Sequence, residues 1–306
     1  MKTAVITGCT GAIGVALCRR LTDEGMKVYA VCRENSRRIS NIPEGVNKIY
    51  RDLRDIGGLG DDIASADVFF HLGWADTAGS GRNDMYSQTE NIRCALEAVR
   101  AAHKMGCGCF IGAGSQAEYG RHNILLRSDT PCFPENGYGM AKLCAGQMTR
   151  EMCKSFGIRH IWARILSVYG PYDGENSMIS MVINSLLDGS SPRLTKGEQM
   201  WDYLYSDDAA KALYLMYKKG RDGAVYPLGS GEVRPLKEYI EKIHKIFGSN
   251  IPLKFGEVPY GERQVMHLGA DISEIKSDVG FVPVYDFERG IKITVKYIKQ
   301  RKERGF

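Results

Sequence analysis

The sequence predicts an α/β protein with a doubly wound parallel sheet and a smaller mixed α/β domain toward the C-terminus. Short apolar or β-branched runs alternate with helix-period segments through the first half, which is typical of parallel strands joined by helical crossovers. A glycine-rich turn joins the first run to the first helical segment. After "YGP" at 169–171 the regular alternation ends, and we place a domain change there.

Six runs predict the strands of the main sheet. Such strands are apolar along most of their length because helices cover both faces of a parallel sheet. The runs are "TAVIT" (3–7), "KVYAVC" (27–32), "NKIYR" (47–51), "DVFFHL" (67–72), "CFIGAG" (109–114) and "RHIWARI" (159–165). The helix-period segments between them include 12–24, 86–105 and 138–156.

The second half predicts a less regular set of elements. They are helices at 178–189 and 235–247, a strand running into a helix over 201–220, and a short strand at 251–255. We therefore predict a first domain over 1–168, completed by elements near 201–228. A smaller cap is predicted from 169–200 and 229–306.

Composition excludes several classes of function. The 41 basic and 36 acidic residues leave a net charge of +5 spread along 306 residues, which predicts no nucleic-acid footprint. There is no signal-peptide pattern and no apolar run long enough to cross a bilayer, so we predict no membrane partner. The nine cysteines form no CxxC pair, which indicates reduced thiols and a cytoplasmic location. "CGC" at 107–109 lacks two further ligands at suitable spacing, so no metal site is predicted.

The segment "TGCTGAIG" at 7–14 predicts a dinucleotide-binding turn. Gly8 allows a tight turn after the first strand, Gly11 lets the backbone approach a pyrophosphate, and Gly14 lets the next helix pack close. The N-terminus of that helix then presents free N–H groups and a positive dipole end to the phosphates. The candidate contacts in this turn are Thr7, Gly8, Thr10, Gly11, Ala12, Ile13 and Gly14.

The end of the second strand indicates which dinucleotide is bound. NAD-binding proteins usually place an acid there for the ribose 2′-hydroxyl, whereas this chain has Cys32 followed by Arg33, with Arg37 nearby. A guanidinium suits a 2′-phosphate, so NADP(H) is favoured and NAD(H) is the alternative. Asp52 and Leu53, after the third strand, are placed to contact adenine. The further candidate cofactor contacts are Leu72 and Gly73, at the end of the fourth strand, and Tyr138 and Lys142 in "YGMAK".

Three side chains predict a proton-transfer site. Tyr138 and Lys142 in "YGMAK" are four residues apart, which puts a phenol and an ammonium on one helical face. A nearby cation stabilises a phenolate and so lowers the pKa of the phenol. Ser115, after the fifth strand, lies at the sheet edge where ligands bind and can hydrogen-bond the same substrate oxygen. Together they could move a proton at a carbinol or carbonyl while a nicotinamide carries the hydride.

These motifs together resemble a known family. "TGCTGAIG", Ser115, "YGMAK", "RILSVYGP" (164–171) and "WDYLYSDDAA" (201–210) follow the order and spacing of the extended short-chain dehydrogenase/reductases that act on nucleotide sugars. The resemblance covers nearly the whole chain. It implies a Rossmann domain, a small C-terminal domain that holds a nucleoside-diphosphate sugar, and a homodimer. Asn91 resembles the family's asparagine that begins a long helix near the active site.

Departures from the family pattern narrow the predicted reaction. The family's 4,6-dehydratases carry an Asp–Glu pair just after the serine, and here those positions are Gln116 and Ala117, so dehydration is not expected. Glu118, one residue later, would point elsewhere. The residues favour NADPH-dependent reduction of a nucleotide-linked 4-keto (6-deoxy) sugar. A 4-epimerase with tightly held NAD(P) is the alternative, and a redox-sensing regulator is a third hypothesis that the intact proton-transfer residues disfavour.

The substrate contacts implied by the resemblance also depart from the pattern. Ser167 replaces the family's asparagine in "N-V-Y-G-P", and Trp201 replaces an arginine that contacts the diphosphate. Arg263 resembles another diphosphate-binding arginine. Trp74 is expected either to wall the crevice or to lie in the core. The candidate substrate-binding residues are Trp74, Gln116, Ser167, Trp201 and Arg263.

Overall fold

The computed structural model describes residues 1–303, and the last three residues of the predicted cap lie outside this range. The strands are β1 Thr3–Thr7, β2 Lys27–Cys32, β3 Asn47–Tyr50, β4 Val68–His71, β5 Cys109–Ser115, β6 Arg159–Ile165, β7 Ser167–Tyr169, β8 Met200–Trp201, β9 Tyr203–Tyr205, β10 Ala224–Leu228, β11 Arg234–Pro235 and β12 His267–Leu268. The helices are α1 Ala12–Asp23, α2 Leu59–Asp62, α3 Met85–Lys104, α4 Gly137–Ser155, α5 Met178–Leu187, α6 Ser206–Lys219, α7 Leu236–Phe247, α8 Ser273–Val279 and α9 Phe287–Glu303. Short 3₁₀ turns cover Ile39–Asn41, Leu53–Gly58, Gly79–Asn83 and Gln116–Glu118.

A seven-stranded sheet forms the centre of the molecule, in the order β3-β2-β1-β4-β5-β6-β10. All of its neighbouring strands pair in parallel. The strand order reverses between β1 and β4, so the crevice beyond the carboxyl ends of these two strands is where an open α/β sheet binds its ligand. The predicted doubly wound fold is confirmed.

Alternating side chains on each strand form a separate core on each face of the sheet. Ala4 and Ile6 pack with α1 and α6 on one face, whereas Val5 packs with α3 on the other. Both layers consist of fully buried aliphatic and aromatic side chains, so the strand ends are held rigidly.

A third core lies outside the main sheet. It gathers apolar side chains of α5, α7 and α9 around Tyr169, Tyr205 and Phe287. Two small sheets flank it, one pairing β7 with β9 and one in the order β11-β8-β12. Between α6 and β11 the chain returns to the main sheet as β10, which pairs with β6. The proposed division into a first domain and a cap remains a prediction.

The segment 251–255 is not a strand, contrary to the prediction. It makes one isolated bridge, between Lys254 and Arg193. Its apolar residues Ile251, Leu253 and Phe255 pack against the third core instead, so their spacing reflects burial of a loop. No helix within residues 1–303 combines the length and apolar character needed to cross a membrane.

Candidate active site

The glycine-rich turn between β1 and α1 has a shape that only glycine permits. Gly8 has a φ of +70°, and a Cβ atom there would lie 2.7 Å from the carbonyl carbon of Leu72 and 2.8 Å from the nitrogen of Gly73. A Cβ atom on Gly14 would lie 2.2 Å from the oxygen of Gly8. The turn therefore packs directly on the end of β4, and α1 begins immediately against it.

Gly11 faces open space on the other side of this turn. A Cβ atom there would come no closer than 4.0 Å to a protein atom, the oxygen of Gly8. Gly11 is also the N-cap of α1, and it provides no side chain to occupy the first N–H groups of the helix. Open N–H groups and a positive helix end beside a cradle without side chains fit a dinucleotide pyrophosphate.

Thr7 ties the ends of β1 and β4 together under this cradle. Its hydroxyl accepts a hydrogen bond from the nitrogen of Gly73 at 3.0 Å and lies 3.1 Å from Nδ1 of His71. Burial lowers the pKa of His71 to about 3, so the imidazole is neutral at physiological pH. Thr7 thus shapes the site from below, and sequence reasoning missed His71 as its partner.

A cleft of about 480 Å³ runs along the carboxyl ends of β1 to β4. Leu72 and most of the other predicted cofactor residues that do not line the cleft belong to the turn and strands beneath it. Arg37 is exposed and does not line the cleft. Cys9, Ser36 and Asn91 also line the cleft and were not predicted as contacts. The predicted residues that line it are Gly8, Thr10, Arg33, Asp52, Leu53, Gly73 and Trp74.

Arg33 lies at the mouth of the cleft. It is exposed, and it borders both the cleft and an adjoining open hollow with Tyr50 and Asp52. No carboxylate among residues 1–303 forms an ion pair with it. Asp52 uses its Oδ1 to accept from the nitrogen of Arg54 at 3.0 Å, which fixes the turn after β3.

The structure brings Ser115, Tyr138 and Lys142 together at the carboxyl end of β5. Asn136 caps α4 by accepting from the nitrogen of Gly139 at 2.9 Å, so Tyr138 lies in the first turn of the helix. Burial raises the pKa of Tyr138, and the Ser115 hydroxyl and a nearby guanidinium that face the phenol lower it. The Ser115 hydroxyl thus faces the phenol of Tyr138, and their joint role in proton transfer stays a prediction.

Lys142 is buried beside this pair. Its Nζ donates to the carbonyl oxygen of Ala113 at 2.6 Å, stands 3.7 Å from the centre of the Trp74 ring, and is 5.9 Å from the centre of the Tyr138 ring. Burial lowers the pKa of Lys142 to about 7, although the Glu118 carboxylate opposes this shift. Its burial therefore disfavours the charged form of Lys142, and the nearby Glu118 carboxylate favours it.

Trp74 forms a wall between the cleft and the proton-transfer residues. Its Nε1 donates to Oε1 of Gln88 at 2.9 Å, and its ring meets that of Tyr138 edge-on at 6.3 Å. Asn91 also supports this connection, because its side chain accepts from the nitrogen of Ala75 at 2.9 Å and donates to the oxygen of the same residue at 3.0 Å. Asn91 does not begin the helix, contrary to the expectation, since α3 begins at Met85.

Glu118 anchors the backbone of Ser115 from beneath. The carboxylate is fully buried and accepts from the nitrogen of Ser115 at 2.7 Å, from Nε of Arg164 at 2.7 Å, and from Nε1 of Trp162 at 3.0 Å. The Trp162 ring occupies the space that a Cβ atom on Gly112 would need. Glu118 therefore belongs to a buried network and is unavailable to a substrate.

Ser167 and Trp201 lie together in a second, smaller cavity. Nε1 of Trp201 donates to Oγ of Ser167 at 2.8 Å, and both border a space of about 220 Å³ beside β7. Arg263 is exposed outside this cavity and donates to the oxygen of Glu135 at 3.3 Å. Gln116 is half-buried and lines neither space. Residues 1–303 contain no cluster of His, Cys, Asp and Glu that could hold a metal ion.

Comparison with known proteins identifies the family. A family model described as the NAD dependent epimerase/dehydratase family matches residues 4–229. The chain belongs to this family. Its members in the comparison are enzymes, and the resemblance to extended short-chain dehydrogenase/reductases is confirmed.

Two relatives among characterised proteins are dTDP-glucose 4,6-dehydratases. The one from Escherichia coli is 28% identical over 190 residues, which is 58% of this chain and 52% of that protein. The one from Mycolicibacterium smegmatis is 24% identical over 314 residues, covering 96% of this chain and 92% of that protein. The match to the first relative thus spans about half of its length.

Solved epimerase structures resemble the whole chain. The UDP-N-acetylglucosamine 4-epimerase from Methanobrevibacter ruminantium M1, in complex with UDP-N-acetylmuramic acid, is 26% identical with a TM-score of 0.88, covering 98% of this chain and 99% of that one. The UDP-glucuronic acid 4-epimerase from Bacillus cereus, in complex with NAD, is 22% identical with a TM-score of 0.85, covering 98% and 99% of the two chains. At 22% identity, the similarity to the Bacillus cereus structure shows the fold alone.

Gly11→Ala in this family member is expected to weaken dinucleotide binding at least about tenfold, or about 1.4 kcal/mol. The added methyl group would enter the cradle without touching protein, because the nearest atom is 4.0 Å away. Unfolding free energy is expected to fall by no more than about 1 kcal/mol, since alanine is only a poorer N-cap. Calorimetric titration with NAD and NADP measures the affinity. Gly108→Ala, where a Cβ atom meets nothing within 4 Å, is the control, and equal affinities of the two variants would contradict the assignment of the cradle.

Proposed function

We propose that this chain is a nucleotide-sugar 4-epimerase that works with a nicotinamide dinucleotide, NAD or NADP. The observation that carries the proposal is the juxtaposition of Ser115, Tyr138 and Lys142 at the carboxyl end of β5. The full-length similarity to a UDP-N-acetylglucosamine 4-epimerase supports this reaction over net reduction, which the residues alone favoured.

The residues of this chain handle the proton of the reacting hydroxyl. A bound nicotinamide dinucleotide supplies the hydride chemistry at the same carbon. Tyr138 in its phenolate form takes the proton from the C4 hydroxyl as the 4-keto group forms, and returns it when the alcohol of opposite configuration forms. Ser115 donates a hydrogen bond to that oxygen and so holds it at the phenol. Thr7, Gly8, Gly11 and Gly14 form the cradle for the pyrophosphate.

The cavity beside β7 is proposed to receive part of the nucleotide sugar. Ser167 and Trp201 already present a hydroxyl and an indole there, joined by one hydrogen bond. We propose the exposed Arg263 as a diphosphate contact and Gln116, next to Ser115, as a sugar contact. Residues 169–200 and 229–306 would then form the substrate cap over the dinucleotide-binding domain.

This site does not contain the side chains that dehydration of a sugar requires. Removal of water from a sugar needs an acid and a base beside the ring. Gln116 and Ala117 cannot supply them, and the carboxylate of Glu118 is buried against Arg164. This chain therefore shares a family with the dTDP-glucose 4,6-dehydratases but lacks an acid–base pair for dehydration at these positions.

NADPH-dependent reduction of a 4-keto sugar is the second candidate. It is favoured by one observation, the unpaired Arg33 at the mouth of the cleft with Cys32 in place of an acid. Under this candidate Arg33, with Arg37 nearby, would meet a 2′-phosphate, and the reduced dinucleotide would exchange after each turnover. A cytoplasmic location also remains a prediction. The homodimer remains one too, with contact proposed through α3 and α4, which expose Met85, Met140 and Met148.

The two candidates differ in what the purified protein requires. For the epimerase we expect nicotinamide to co-purify, and proton NMR to show UDP-N-acetylglucosamine or UDP-glucose converting to its 4-epimer without added reductant. For the reductase we expect no epimer, and consumption of NADPH with nucleotide-linked 4-keto-6-deoxy sugars. The Gly11→Ala protein controls for contaminating activity. Failure of both assays across uridine and thymidine nucleotides would overturn the proposed function.

A further inference from the structure

Arg82 lies over the phenol that the proposed reaction uses. It belongs to the 3₁₀ turn Gly79–Asn83, between β4 and α3, and its guanidinium carbon is 4.5 Å from the centre of the Tyr138 ring. Its one hydrogen bond in the structure is long, from Nη1 to the oxygen of Thr77 at 3.4 Å. No carboxylate among residues 1–303 forms an ion pair with it. The site therefore holds a half-buried cation that no acid among the described residues 1–303 neutralises.

The turn that carries Arg82 is fixed to the helix that carries Tyr138. Oδ1 of Asn83 accepts from the nitrogen of Gly137 at 2.9 Å, directly before Tyr138. Nε2 of Gln88 donates to the oxygen of Gly81 at 3.0 Å, directly before Arg82. Contacts on both sides of Arg82 thus tie its backbone to α4 on one side and to α3 on the other, and the guanidinium is positioned by the fold.

Lys142 alone is a weak source of positive charge for this phenol. Its Nζ is 5.9 Å from the centre of the ring and is engaged by the Ala113 oxygen and the Trp74 face. Burial lowers the pKa of Lys142 to about 7, so its charged form is less favoured than that of a lysine in water. An arginine stays protonated under the same conditions, because its guanidinium delocalises the charge.

We propose that Arg82 is the permanent cation that stabilises the phenolate form of Tyr138, and so acts as a positioning residue for proton transfer. A guanidinium over the face of an aromatic ring is attracted by the ring's electrons, and the attraction increases when the ring becomes a phenolate. The other groups that face the phenol are Ser115 from β5, Glu118 from the turn after it, and Lys142 from α4 itself. Of these, Glu118 is paired with Arg164.

This role has a consequence for the pH dependence of the phenol. A positive charge within about 4–6 Å lowers the pKa of an acid by about 1–3 units, and the half-exposed position of Arg82 argues for the lower end. Removing the guanidinium should therefore move the Tyr138 titration upward by about 1 unit. The relevance of this shift to turnover rests on the proposed function, whereas the shift itself needs neither substrate nor dinucleotide.

The experiment is a spectroscopic titration of tyrosinate absorbance in the protein as purified, with any dinucleotide that co-purifies left in place. Because the chain has 16 tyrosines, the Tyr138 signal is the difference between each protein and the same protein carrying Tyr138→Phe. Arg82→Gln is expected to raise the midpoint by about 1 unit, and Arg82→Lys to stay closer to the parent because it keeps a charge. Arg100→Gln, an exposed arginine on α3, is the matched control and should leave the midpoint unchanged. If the Arg82→Gln protein does not fold, Arg82→Met takes its place in the titration.

The outcomes separate this inference from the proposed function. An unchanged midpoint in Arg82→Gln, or in Arg82→Met where the glutamine variant does not fold, overturns the role of Arg82, and an accompanying rise in KM would assign Arg82 to substrate binding instead. With an active enzyme, the acid limb of the kcat profile should move to higher pH in Arg82→Gln and move back in Arg82→Lys. A shifted midpoint without turnover of any sugar sinks the proposed function and leaves the role of Arg82 intact.

Discussion

Tyr138→Phe is expected to lower kcat by at least about 10²-fold, and as much as about 10⁴-fold, with little change in KM. The variant removes only the hydroxyl that exchanges a proton with the C4 oxygen, while the ring keeps its edge-on contact with Trp74 and its place under Arg82. Initial rates of 4-epimer formation across a range of pH measure the effect.

Tyr86→Phe is the matched control for this change. Tyr86 is 91% exposed near the start of α3, so loss of its hydroxyl should alter neither rate nor stability. Thermal unfolding and dinucleotide affinity of Tyr138→Phe should match those of the parent protein. Activity within a few-fold of the parent would remove Tyr138 from the reaction.

Glu118→Gln is expected to lower the unfolding free energy by about 3–5 kcal/mol. The substitution preserves shape but leaves Arg164 as a buried cation without a counter-charge, and it weakens the acceptor for Ser115 and Trp162. Since Glu118 also fixes the backbone of Ser115, activity should fall in the fraction that remains folded. Urea denaturation followed by circular dichroism measures the stability.

Glu288→Gln provides the comparison on the surface. That carboxylate pairs with Lys292 one helical turn away on α9, where solvent screens both charges. Its denaturation midpoint should stay where it is in the parent protein. If Glu118→Gln unfolded at the same urea concentration as Glu288→Gln, the buried network would not be holding this part of the molecule.

Much of the fold was predictable because burial leaves a simple pattern in the sequence. The predicted runs 3–7, 27–32 and 159–165 coincide with β1, β2 and β6, and the other three differ from β3, β4 and β5 by a residue at one or both ends. The same reasoning failed at 251–255, where apolar residues cover a core without pairing as a strand. Alternating apolar residues indicate that a segment is buried on one side. They indicate a strand only where another strand lies beside the segment and pairs with it.

The site was predictable where one local segment carries the whole signal. The turn at 7–14 and the Tyr138–Lys142 spacing are both of this kind. The residues that were missed act through contacts between distant parts of the chain, as with Gln88 and Trp74, or Arg82 and Tyr138. A polar Gln88 three residues before Asn91, on the buried face of α3, was the one available indication of the first contact.

The proposed site of hydride transfer at C4, where Ser115 and Tyr138 meet, can be examined by isotopic labelling. A UDP-sugar carrying deuterium at C4 would be incubated with the protein in ordinary water, and the product examined by NMR. We expect the 4-epimer with deuterium still at C4, formed at least about 10²-fold more slowly by Tyr138→Phe. Loss of the label to water, or a product that has lost the C6 hydroxyl as water, would contradict this proposal.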